Sequence, residues 1–174
     1  MDDHAPDERP IEPLVENIAM RDTVPAGWRR FYDQLIVDLY RLHPALRVTD
    51  ANAGAGELLV HLAPDHVCAE ECRALLARAR IASRNLCEIC GEAAAVRTLT
   101  GTIRCLCDAH HRAALATHAA RTQLFDGDAE EAEQWMQTYS VHLGAPPAQC
   151  AGTCEGGLQR VLTMIWRLEA GVYI

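Results

Sequence analysis

Cys87-Glu88-Ile89-Cys90-Gly91 forms a CxxC knuckle, and sixteen residues later Cys107-Asp108-Ala109-His110 repeats the same two-residue gap. Two such pairs, converging from two short loops, place soft sulfur and nitrogen donors around one tetrahedral Zn2+. Gly91 permits the tight turn that points backbone amides at the sulfurs. The expected ligands are Cys87, Cys90, Cys107 and His110, holding one structural Zn2+ per chain, because a set of four leaves no open coordination position for catalysis. Two alternatives stay open: Cys105 competes with Cys107, since residues two apart share a strand face, and His111 competes with His110. Cys68/Cys72 and Cys150/Cys154 are each four apart, the spacing that stacks side chains on one helix face. Together they are a second metal site or, as small apolar residues, parts of buried faces.

The segment between the pairs, Ala93 to Arg104, carries Thr100-Gly101-Thr102 between Val96 and Ile103 and reads as a hairpin, giving a zinc ribbon. Upstream, Trp28, Phe31, Tyr32, Leu35, Ile36, Leu39 and Leu42 recur at three- and four-residue steps, which predicts a helix with one buried face. Leu46–Thr49 and Glu57–Leu62 flank a Gly- and Asn-bearing stretch over 50–56 and predict a β-hairpin. Residues 65 to 84 return to helical spacing through Val67, Cys68, Cys72, Leu75, Leu76, Ala79 and Ile81, with Asp65 as cap. Residues 1 to 12 are acidic and poor in apolar side chains, and a short amphipathic turn follows with Leu14, Val15 and Ile18 on one face.

Downstream of the ribbon the chain is helical. Asp108 to Phe125 is Ala-rich, with Leu115, His118, Ala119 and Thr122 in rough register, and Asp126-Gly127 ends it. Asp128 caps the next helix, whose Ala129, Ala132, Trp135, Met136 and Tyr139 fall on one side. Ser140 to Pro147 reads as a loop, Thr153 as the cap of the last helix, and Leu158, Val161, Leu162, Ile165 and Leu168 as its buried stripe, with Gly171 as the stop. The expected class is α+β: a flexible acidic tail over 1–22, a helix, β-hairpin and helix over 23–86, the zinc ribbon over 87–110, and a small all-α domain over 111–174.

Charge narrows the partners. The 174 residues carry a net charge of -8, with -5 in residues 1–27, +1 in 28–85, +1 in 86–122 and -5 in 123–174. Such a balance speaks against extensive phosphate contact, although Arg73, Arg78, Arg80 and Arg84 could form a local patch. No run of 18 apolar residues occurs, and Asp2, Asp3, Asp7 and Glu8 stand where a leader would be basic and then apolar. We therefore expect a cytoplasmic protein with no membrane contact, whose cysteines are thiols or metal ligands.

The C-terminal order of residues, Phe125-Asp126-Gly127-Asp128, Trp135, Leu143-Gly144, then Arg167, Glu169, Gly171, Val172 and Tyr173, resembles the toxin-binding domain of the bacterial MbcA/ParS/Xre antitoxins. The resemblance covers about the last fifty residues. An extra residue separates Phe125 from Gly127, Tyr139 stands where the family usually has Pro, and the Pro146-Pro147 loop is shifted by one position. The helix-turn-helix of Xre-type members is replaced by the zinc-bearing region. The resemblance implies a non-enzymatic antitoxin or immunity protein whose partner is a RES-domain toxin that uses NAD. It further implies that Arg167, Glu169, Gly171, Val172, Tyr173 and Ile174 contact that partner and occlude its NAD pocket, in a hetero-complex or homo-oligomer, while zinc staples the N-terminal region. Residues 20 to 110 also resemble an uncharacterised bacterial module, through Gly27-Trp28, Cys87–Gly91 and Leu106–His110.

Two other classes are open to test. A zinc-containing, nucleic-acid-binding transcriptional regulator would need a basic face. A metal-dependent hydrolase would need an open ligand position and a nearby base, for which Glu88 and Asp108, expected to be solvated, are the neighbours.

Overall fold

A computed structural model describes residues 11–63 and 70–172. They form two compact units, one reaching Val96 and taking in Ile103–Cys105, the other comprising Arg97–Thr102 and the chain from Leu106. The architecture is mixed helix and sheet, with seven α-helices and two antiparallel hairpins among the described residues, so the α+β expectation holds. Asp65 and Cys68 lie outside those residues.

The first unit begins with α1 (Glu12–Ala19) and a 3-10 turn over Met20–Thr23, followed by α2 (Arg29–Leu42). Much of the expected tail over 1–22 is thus a docked helix, and the reason is Asn17. Its amide is 4 % exposed, donates to Leu46 O at 2.8 Å and accepts from Val48 N at 2.7 Å. The Tyr32 hydroxyl donates to Asn17 O at 2.7 Å, and burial, with the Asp33 charge second, pushes the Tyr32 pKa up to about 12. A buried amide between two backbone groups of a strand entry satisfies donors and acceptors that composition cannot reveal. Val15, placed on the apolar face by its spacing, is instead 64 % exposed.

In α2 the expected stripe is realised, with Trp28, Tyr32, Leu35, Ile36 and Leu39 buried and Leu42 exposed at the helix end. This stripe meets the hairpin of β1 (Val48–Gly54) and β2 (Glu57–Leu62), and α3 (Glu70–Ser83) through Cys72 and Ala79. The hairpin turn is shorter than the 50–56 stretch expected: β1 pairs with β2 as far as Gly54↔Glu57, leaving only Ala55 and Gly56 to turn. Both have positive φ, 51° and 75°, the pair of left-handed residues that suits the twist of two antiparallel strands. On α3 Ile81 is 65 % exposed, outside the face to which spacing assigned it.

The second unit packs α4 (Asp108–Gln123), α5 (Ala129–Gln137), α6 (Pro147–Thr153) and α7 (Glu155–Glu169) around Ala116, Ala120, Met136, Ala151, Val161 and Ile165. Asp128 caps α5, accepting from the amides of Glu130 and Glu131 at 2.9 and 3.0 Å. Two expectations change here. The buried face of α4 is Ala116 and Ala120, with Leu115 36 % exposed, because small side chains let α6 approach closely. A Cβ on Gly152 of α6 would already stand 3.4 Å from Ala109 O.

The second change is α6 itself, which shares only Pro147 with the expected loop and fills the stretch up to Thr153. Pro147 begins it, where a missing N–H costs nothing. Thr153 does not cap α7, for its hydroxyl donates back to Cys150 O at 2.7 Å. The extended residue Cys154 then separates α6 from α7, and a Cβ on Gly157 would lie 2.1 Å from Cys150 O, so only glycine admits this corner. Met136 is fully buried in this core. Met136→Ala should cost about 2–5 kcal/mol, read as a lowered denaturant midpoint with unchanged slope.

Candidate functional site

Four side chains converge around the β3–β4 hairpin (Ala95–Leu99 and Thr102–Leu106). One ligand atom from each of Cys87, Cys90, Cys107 and His110 lies within 4.8 Å of the others, and no other such group occurs among the described residues. In a tetrahedral Zn2+ site with bonds of about 2.0–2.3 Å, ligand atoms stand about 3.3–3.8 Å apart, so a contraction of at most about 1 Å would close this donor set around the ion. The Cys107 sulfur is 3.2 Å from His110 Nδ1, with Cys107 at the end of β4 and His110 in the first turn of α4. An ion held there would join knuckle, hairpin and helix.

Backbone shapes the knuckle before any ion does. Gly91 N donates to Cys87 O at 2.9 Å, with Gly91 at φ 78°, and Cys87 N donates to Glu92 O at 2.8 Å. The other wall is Gly27, whose N–H donates to Glu88 O at 2.9 Å and whose Cβ, if present, would lie 2.1 Å from Cys87 O and 2.5 Å from Gly91 N. Trp28 Nε1 donates to Leu86 O at 2.6 Å. Thus Gly27-Trp28 grips the residues that lead into the CxxC. Gly27→Ala should deform the knuckle, costing at least about 2 kcal/mol in stability and lowering metal affinity about tenfold or more. Thermal melting and competition with a zinc chelator would measure both.

Glu88 is 6 % exposed rather than solvated. Its carboxylate accepts from Cys105 N at 2.6 Å and from Arg104 Nε at 2.9 Å. That acid ties knuckle to β4 and is occupied by two donors. Asp108 is exposed and paired with Arg97, whose Nη1 lies 3.2 Å from His111 Nδ1. Burial, and then the Arg97 charge, hold the His111 pKa below its ordinary value. Neither alternative ligand joins the cluster. Cys105 is buried and donates to Arg84 O at 3.0 Å, its pKa raised by burial and then by Glu88 and Cys87.

Of the four arginines that could form a basic patch, three face carboxylates. Arg73 pairs with Glu70 at 3.0 Å, and Glu57 binds Arg80 and, at 3.3 Å, Arg84. The pair Cys150/Cys154 is likewise divided, with Cys150 buried in the helical core and Cys154 exposed. Backbone hydrogen bonding at Gly157, and then Thr153, holds the Cys154 pKa below its ordinary value.

At the other end of the second unit, α7 closes in a Schellman turn. Gly171, at φ 69°, donates to Leu168 O at 3.1 Å, and Val172 N donates to Arg167 O at 2.9 Å. Arg167, Glu169, Gly171 and Val172 are exposed, whereas Tyr173 and Ile174 lie outside the described residues. Trp166, which sequence reasoning passed over, is 61 % exposed. It stands one turn after Leu162, at the edge of the 158/161/162/165/168 stripe, so spacing alone left its exposure open.

Residues 122–171 match the family model of the antitoxin Xre/MbcA/ParS C-terminal toxin-binding domain. The matched stretch runs from the end of α4 through the Schellman glycine and supports a toxin-binding antitoxin role. No curated protein and no solved structure matches the chain. No helix of the described residues is long and apolar enough to cross a membrane.

Proposed function

We propose that this chain is a non-enzymatic antitoxin or immunity protein that binds a RES-domain toxin in the cytoplasm and occludes its NAD pocket. The contact is made by the end of α7 and the residues after it: Arg167, Glu169, Gly171, Val172, Tyr173 and Ile174. Zn2+ on Cys87, Cys90, Cys107 and His110 is structural, one per chain.

The match of residues 122–171 to a toxin-binding domain carries the reading. Its supporting geometry is the Schellman turn, which fixes the direction in which the chain leaves α7 while Arg167 and Val172 stay exposed. A guanidinium and apolar side chains on a fixed helix end suit a desolvated pocket, and an inhibitor needs only to exclude substrate. The nucleic-acid reading is weakened because Arg73, Arg80 and Arg84 are paired with Glu70 and Glu57, which halve the charge of the four-arginine patch.

Co-expression with the RES-domain product of an adjacent gene tests the reading. A stable complex that survives size exclusion is expected; failure to co-purify with, or protect against, any RES toxin contradicts it.

A further inference from the structure

Along α7, Gln159, Arg160, Thr163, Met164 and Arg167 face His142 and Leu143 of the α5–α6 connection across a groove of about 390 Å3. Its charge departs from its setting. From residue 123 onward the sequence holds seven carboxylates and two cations. Both cations, Arg160 and Arg167, line this groove, and none of the carboxylates does.

Seven residues make two helical turns, so the two guanidiniums share one side of α7 with their Cα atoms about 10 Å apart. Arg160 Nη2 donates to Leu143 O at 3.3 Å, which holds it at the rim. Between the arginines lies Met164, half-buried, with its sulfur 3.8 Å from Ser140 Oγ. A thioether adapts to varied apolar side chains. A cationic rim over an apolar floor suits a segment that carries carboxylates and an apolar side chain together, whereas a free phosphate would use the arginines and leave Met164 and Leu143 uncovered.

We propose, resting on the antitoxin reading, that this groove is a docking site for an acidic segment of the partner toxin. Two carboxylates of that segment engage Arg160 and Arg167, and an apolar side chain between them lies on Met164 and Leu143. The rest of the acidic unit then repels the same segment. Charge segregation of this kind sets register and specificity on the partner's surface.

The test uses the full zinc-loaded chain and a fluorescein-labelled, helix-forming twelve-residue peptide with two Glu seven positions apart and Leu between them. Fluorescence anisotropy should show saturable binding that weakens about tenfold in Arg160→Glu/Arg167→Glu and falls with added salt. The same peptide with Lys for Glu should not bind. Absence of saturable binding, equal affinity for the charge-reversed variant, or displacement by equimolar inorganic pyrophosphate would overturn the proposal.

The toxin supplies a second arm. If Arg160→Glu alone, which leaves the contact residues at the end of α7 intact, neutralises it as well as the wild type, the groove is not the docking site, although the antitoxin reading survives. If the wild type binds the peptide through these arginines but binds no RES toxin, the groove stands as an acidic-peptide site and the antitoxin reading fails.

Discussion

Cys87→Ser should release one Zn2+ per chain and abolish the cooperative unfolding of the region around the β3–β4 hairpin. Structural Zn2+ sites contribute about 10–16 kcal/mol in small zinc-dependent domains, comparable to or larger than the net stability of a whole domain. The loss should extend to the start of α2, because Gly27 and Trp28 bind the backbone of Glu88 and Leu86 directly. Native mass spectrometry should find one zinc in the wild type and none in the variant, with a broad, early melt. Cys107→Ser should behave alike. Cys105→Ser gives the contrast that separates ligand from neighbour: its thiol bonds Arg84 O, so the variant should keep the metal and lose only local packing. Retention of zinc by Cys87→Ser, with an unchanged melt, would contradict the site.

Deletion of Val172–Ile174 is the second large effect. It removes one hydrogen bond of the α7 cap, Val172 N to Arg167 O, and no described core side chain. Stability should fall by no more than about 1 kcal/mol, and far-UV circular dichroism should be unchanged. Toxin neutralisation should weaken about a hundredfold, as expected when anchors worth about 2–4 kcal/mol are lost from an interface. Equal protection by the truncated chain would remove these residues from the mechanism.

These two outcomes depend on features of different legibility. The Cys3His cluster was legible in the sequence because tetrahedral coordination would fix donor type and number, and its two CxxC-like gaps lie close enough for a single hairpin to bring them together. The choice of Cys107 over Cys105 rested only on its matching gap to His110, because residues two apart would share a strand face; in the structure Cys105 stays on β4, where it meets the Arg84 carbonyl, and Cys107 lies just past the strand, at the start of α4. Likewise α2 was plain, since seven large apolar residues keep helical period from Trp28 to Leu42.

Where side chains are small the pattern fails. The buried face of α4 is two alanines, and α6 is a seven-residue helix whose packing rests on Pro147, Cys150, Ala151 and the bare Cα of Gly152. Neither makes a hydrophobic stripe, although each decides how closely backbones approach. Asn17 escaped for the opposite reason: a polar residue in an acidic stretch reads as solvated until Leu46 and Val48 are seen on either side of it. Glu88 belongs to the same kind, a carboxylate placed by tertiary partners alone.

The central claim is inhibition by exclusion of NAD. It is tested most directly by following NAD consumption by the purified RES-domain toxin as this chain is titrated in. The account predicts consumption falling to background once the toxin is saturated, with no NAD turnover by the chain itself and relief when Val172–Ile174 are removed. Undiminished NAD consumption in the presence of a saturating excess of the intact, zinc-loaded chain would contradict it.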